Sequence, residues 1–152
     1  MKIGIIIFTS ILIALLLFIL LKRSHDSTIS VGSIDDIERN MLALMTSGKE
    51  GAFLIVTVQG TNDFIQFTSD ASSVQLDFPL VTERQKSLEM IFRSAAKGLD
   101  LEIVENRGSG GEIFLDITMK GTAAEIAVIA RALMEKLFTI NQGVKIQYEL
   151  DA

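Results

Sequence analysis

The chain has 152 residues, 49% of them hydrophobic, with a net charge of −5 and a positive mean hydropathy. That length holds one domain, or one small domain with an appendage, and the apolar half excludes a disordered chain. No Cys and a single His exclude disulfides, thiol catalysis, thiolate metal sites and multi-His centres, and the acidic balance argues against nucleic acid as a partner.

Residues 3–21 carry no charge, and only Gly4, Thr9 and Ser10 are weakly polar among them. As a helix they would span about 28 Å at roughly 1.5 Å per residue. A bilayer core is about 30 Å thick, and a helix satisfies its own backbone there. Lys2 flanks the run on one side, Lys22 and Arg23 on the other. The pattern predicts a transmembrane anchor over residues 1–23. A cleaved signal peptide needs a shorter apolar stretch and a small-x-small site, which Leu20-Leu21-Lys22-Arg23 does not supply. A buried soluble helix is the other alternative, although core helices are rarely apolar all round. Lys22, Arg23 and Arg39 follow the run and Lys2 alone precedes it, which predicts a cytoplasmic domain.

Residues 22–33 (KRSHDSTISVGS) are polar and Ser-rich. They predict a tether, with the linker proper at 24–33 and the only His, His25, solvated within it. Charge divides the chain there: residues 1–33 carry +2 and residues 34–152 carry −7. An acidic domain over 34–152 is expected to stand off anionic lipid.

Ser33 with Asp36 spells a short-armed capping box, and Ile34, Ile37, Met41 and Leu44 form one apolar helix face that Gly48 ends. Three strands are predicted next. Ala52 to Val58 is apolar on both faces. Phe64 to Thr68 sets Ile65 and Phe67 on one face. Val74 to Leu80 alternates, with Val74, Leu76, Phe78 and Leu80 inward, Gln75 and Asp77 outward, and Pro79 placed for a strand end. A second helix opens at the Thr82–Gln85 box, with Leu88, Ile91, Phe92 and Ala95 as its stripe. Leu99 to Val104 and Ile113 to Met119 read as a hairpin around the turn Asn106 to Gly111. A third box, Thr122 with Glu125, opens the longest soluble helix, expected to end near Asn141. A last strand is predicted over Val144 to Leu150. The fold class expected is α+β: an N-terminal transmembrane helix, then a largely antiparallel sheet with helices packed on it, in the order α-βββ-α-ββ-α-β.

The strand Phe64-Ile65-Gln66-Phe67, the strand end Leu76-Asp77-Phe78-Pro79-Leu80 and the helix opening Thr82-Glu83 resemble the bacterial YbjN and TY-chaperone-like proteins, relatives of type III secretion chaperones. The resemblance covers roughly Ile34 to Ile140. It implies a small acidic domain, often dimeric, that binds protein segments and catalyses nothing. The chain departs from it in its apolar N-terminal run and its extra last strand.

Candidate sites are few. The NRGSGG stretch lacks the Gly-Lys-Ser/Thr ending of a phosphate loop and leads into a strand. Asp100, Glu102, Asp116 and Glu112 could gather on the outer face of the last hairpin, where carboxylates can hold a cation or do acid–base work; a solvated sheet face is the plainer reading. Ser and Thr are plentiful, but a hydrolytic triad needs a base, and the one His lies in the tether. No catalytic residue, metal or cofactor is expected. Two apolar faces on Ala52 to Val58 leave two alternatives: a central strand covered on both sides, or a sheet face that needs a partner. On the second, the interaction surface is Leu54, Val56, Phe64 and Phe114; a second candidate is Ile37, Met41 and Leu44. The expected function is a membrane-anchored, non-catalytic protein-binding domain, chaperone-like or scaffolding, with a protein partner or homodimer. It is expected as a single-pass protein of a bacterial inner membrane, held through residues 3–21. The alternative is a small-ligand or lipid-binding module at the membrane.

Overall fold

Each helix begins at a reciprocal cap. Asp36 Oδ2 accepts from the Ser33 N–H at 2.9 Å and Ser33 Oγ accepts from the Asp35 N–H at 3.3 Å. This cap opens a 3-10 turn, Ile34–Asp36, that runs into α1, Ile37–Thr46. The Thr82–Gln85 box opens α2, Glu83–Gly98, and the Thr122–Glu125 box opens α3, Ala123–Phe138. The computed structural model describes residues 27–152 except 71 and 142.

Seven strands make one sheet: β1 Thr28–Gly32, β2 Phe53–Val58, β3 Phe64–Ser69, β4 Val74–Pro79, β5 Val104–Arg107, β6 Ile113–Met119 and β7 Ile146–Asp151. Their order is β1-β7-β2-β3-β4-β6-β5, and every neighbouring pair is antiparallel. Short turns make the β2–β3 and β3–β4 hairpins, and α2 and α3 carry the chain across the sheet.

The expected fold class is corrected at its start. No helix among the described residues is long and apolar enough to cross a membrane. The predicted anchor, residues 1–23, lies outside the described residues, as does His25. The expected linker is a strand over its second half: Thr28–Gly32 pairs with β7, Ser30 opposite Tyr148. The chain order is therefore β-α-βββ-α-ββ-α-β, with β1 and β7 added beside β2. Smaller corrections concern ends. The predicted strand over Leu99 to Val104 is irregular until Val104, because the Leu101 N–H turns back to the Ala96 carbonyl at 2.9 Å and Asp100 takes φ 56°. Strand β5 then continues to Arg107 and shortens the expected turn. Helix α3 stops at Phe138, with Thr139 left-handed at φ 51°, and β7 begins at Ile146.

All three helices share one core with one face of the sheet. Met41 and Leu44 of α1, Leu88 and Phe92 of α2 and Ala130 and Leu133 of α3 cluster with Val56, Phe67, Leu76 and Ile117 of the strands. Period-two alternation puts the apolar half of each strand on that side. Phe78 stacks on Phe92 with ring centroids 4.8 Å apart, locking α2 to β4.

Candidate functional site

The other sheet face is the informative surface. The register runs one row of side chains across all seven strands. Ile29 pairs with Glu149, which on its other side faces Ile55; Ile55 pairs with Gln66. Gln66 pairs with Asp77, Asp77 with Asp116, and Asp116 with Val104. Ile55 is buried at 7% exposure yet stands apart from the helix-side core. Among the described residues no helix lies over this row.

At its centre two carboxyls face each other. Gln75 Nε2 donates to Asp77 Oδ1 at 2.6 Å and to Asp116 Oδ2 at 3.3 Å, and the Asn106 amide also donates to Asp116 Oδ2. Asp116 is only 7% exposed, and its Oδ1 has no amide or hydroxyl donor. Burial pushes Asp77 up to about 6; the Gln75 amide pulls it down, and the Asp116 charge and its hydrogen bond to Asp77 push it further up. Two carboxyls this close cannot both ionise cheaply, so Asp77 keeps its proton to a higher pH than a free aspartate does.

Phe64 and Phe114 flank this pair, each half-buried on the same face. Phe64 lies two residues before Gln66, and Phe114 lies two before Asp116, opposite Pro79 and Asn106. They are the two members of the first predicted surface that the open face carries. Leu54 and Val56 are fully buried on the helix side, because one residue of register decides the face. The second predicted surface is core as well: Ile37, Met41 and Leu44 are at most 2% exposed.

The expected acidic cluster also separates. Asp100 and Glu102 are exposed on the α2–β5 connection, and Glu112 accepts from the Gly110 N–H inside its own hairpin turn. Only Asp116 joins a carboxyl partner, and that partner, Asp77, stands in a different hairpin. Alternation placed Asp77 outward in the sequence, but nothing local aligned it with Asp116. Among the described residues no group of three or more His, Cys, Asp or Glu could hold a metal.

A hollow of about 420 Å³ opens below the α1–β2 connection, lined by Leu44, Lys49, Glu50 and Asp70 among others. Its walls are mostly exposed and of mixed charge, and Asp70 already accepts from the N–H and hydroxyl groups of Ser72 and Ser73. This is not the enclosed apolar cavity that a lipid or small-ligand module needs.

Comparison with known proteins yields no matching family model, no matching curated protein and no matching solved structure.

Proposed function

We propose that this chain is a non-catalytic protein-binding domain that works through its open sheet face. The partner it fits is a segment with apolar side chains to cover Phe64 and Phe114 and a basic side chain to meet Asp77 and Asp116. The observation that carries this reading is the placing of two half-buried aromatic rings beside a carboxyl pair, on a face no described helix covers. Charge supports it. The outward positions of the strands hold Asp77, Asp116 and Glu149, besides Asp151, which Lys49 already pairs, and no Lys or Arg. Aromatic groups with acidic neighbours favour a basic, partly apolar partner and discriminate against an acidic one. The resemblance of residues 34–140 to chaperone-like proteins points the same way.

A photo-reactive phenylalanine analogue placed at Phe64 or Phe114 of the full-length chain, in producing cells, tests it. The reporter should capture a discrete polypeptide with a basic segment, and the same reporter at Met90, exposed on α2, should not. Thr118→Arg puts a positive charge on the same exposed face and should reduce the capture at least tenfold. Equal capture from Met90, or capture indifferent to Thr118→Arg, overturns the reading.

A further inference from the structure

Asp77 and Asp116 oppose each other across β4 and β6, in the middle of the open sheet face. Opposed residues of an antiparallel pair hold their Cβ atoms about 4.5–5.5 Å apart, so two carboxylates there repel each other strongly. Two amides lean on the pair without neutralising it: Gln75 donates to both carboxyls and Asn106 to Asp116. Asp116 is the deeper member, with an Oδ1 that no amide or hydroxyl meets. Asp77 is half-buried and is the member that a partner can reach.

The described residues supply no counter-charge on this face. Strand β3 presents Gln66 and Thr68 beside Asp77 and Gln75, β6 adds Thr118, and β5 adds Val104 and Asn106. The other charged groups on the strands are acidic too. Glu149 stands three strands away on β7, and Lys49 already pairs Asp151. Asp70 lines a hollow with Gln75 and Thr118; the Ser72 and Ser73 N–H groups hold its carboxyl below the usual range, so it stays ionised. Glu112, Lys120 and Lys145 lie just past the ends of β6 and β7. Two like charges without a counter-charge can be relieved in two ways, by a proton from solvent or by a cation from outside.

We propose that a solvent proton and the partner's basic side chain compete for the Asp77–Asp116 pair, so that the open face grips its partner at neutral pH and releases it on acidification. This rests on the reading of the face as a protein-binding surface and adds the regulation of its grip.

The exchange balances in charge. When protonated, Asp77 presents a neutral carboxyl. A guanidinium or ammonium group docking beside it expels that proton to solvent, and the complex keeps two carboxylates and the bound cation. Burial and the Asp116 charge raise Asp77 to about 6, so affinity falls as pH falls through that value. At pH 5 about a tenth of Asp77 is ionised, and affinity should be about tenfold lower than at pH 7.5. Phe64 and Phe114 do not titrate, so the gate acts on the charged contact alone.

The probe is n-butylguanidinium, an arginine side chain without its backbone. Titrated at pH 7.5 into the whole chain in mild detergent, it should move the backbone amide resonances of Asp77 and Asp116 saturably. Its dissociation constant should rise about tenfold at pH 5. With the probe bound, the Asp77 carboxyl carbon should titrate near 5 or below instead of at about 6. Asp77→Asn should bind the probe equally weakly at both pH values. Glu38→Gln, which removes one exposed charge from α1, should keep the difference. Equal affinity at the two pH values, or no saturable shift at the pair, overturns the gate. Capture from the Phe64 and Phe114 reporters reads the face itself. Capture as strong at pH 5 as at pH 7.5 keeps the face and overturns the gate, whereas its absence at both overturns the face and the gate with it.

Discussion

Tyr148 Oη donates to the carbonyl oxygen of Ser33 at 2.6 Å. The bond ties the middle of β7 to the residue that follows β1 and caps the turn into α1. Burial pushes the phenol well above its ordinary range, and the Asp36 and Asp35 carboxylates push in the same direction. The hydroxyl therefore remains a donor across the neutral range. Tyr148→Phe leaves the ring packed and removes only the donor. It should lower unfolding free energy by about 1–2 kcal/mol, read as a drop in urea midpoint at constant slope.

Gly32 adjoins that junction. A Cβ there would collide with Asp36 Oδ2, which accepts from the Ser33 N–H. Asp36 can swing away only by giving up its half of the cap. Gly32→Ala should cost about 1 kcal/mol, the usual worth of an N-cap. Asp36→Ala removes the same cap, so the double variant should cost less than the sum of the two. Strict additivity in thermal or urea unfolding would place the strain elsewhere.

The Asp77–Asp116 pair makes stability depend on pH with a definite sign. Asp77 is raised in the folded protein to about 6, against about 3.9 for a free aspartate. Between those values the folded chain holds the extra proton, so unfolding free energy falls as pH rises through the window. The contribution is fully present below about pH 4 and gone above the folded value. Asp77→Asn can still donate to Asp116 and carries no charge. It should raise the urea midpoint at pH 7, leave it little changed at pH 4 and flatten the profile between. A midpoint at pH 7 that falls on substitution would contradict a charge penalty between the two carboxylates.

Faces of β2 can be separated by substitution. Val56 is fully buried against the helices, so Val56→Asp buries an unpaired charge and should abolish the folded circular dichroism spectrum. Leu76→Ala, equally buried, should cost about 2–5 kcal/mol. Ile29→Lys and Val31→Lys, on the exposed edge, should stay within about 0.5 kcal/mol of the parent in stability. A folded Val56→Asp chain would mean that the helices do not cover this side of the sheet.

Local signals carried the sequence reading a long way. The capping boxes at Ser33, Thr82 and Thr122 each join residues three apart, and all three open helices where the spacing puts them. Alternation along Val74 to Pro79 and Ile113 to Met119 likewise names the buried side of β4 and β6, because a strand with one covered face must alternate. The start of β5 and the end of α3 moved by a few residues where a left-handed residue, Asp100 or Thr139, turns the chain without glycine.

Three features were decided only by the tertiary structure, each because the deciding partner is remote in the chain. Strand β1 reads as a polar tether, since its backbone bonds go to β7, with Ser30 opposite Tyr148. Strand β2 is apolar on both faces, so nothing within it says that Leu54 and Val56 meet the helices while Ile55 takes the other side. Asp77 and Asp116 are ordinary outward aspartates in separate hairpins until the β4–β6 register sets them face to face. Side-chain alternation is a property of one strand; pairing and coverage are properties of the assembled sheet, fixed by the burial of its whole helix-side face at once.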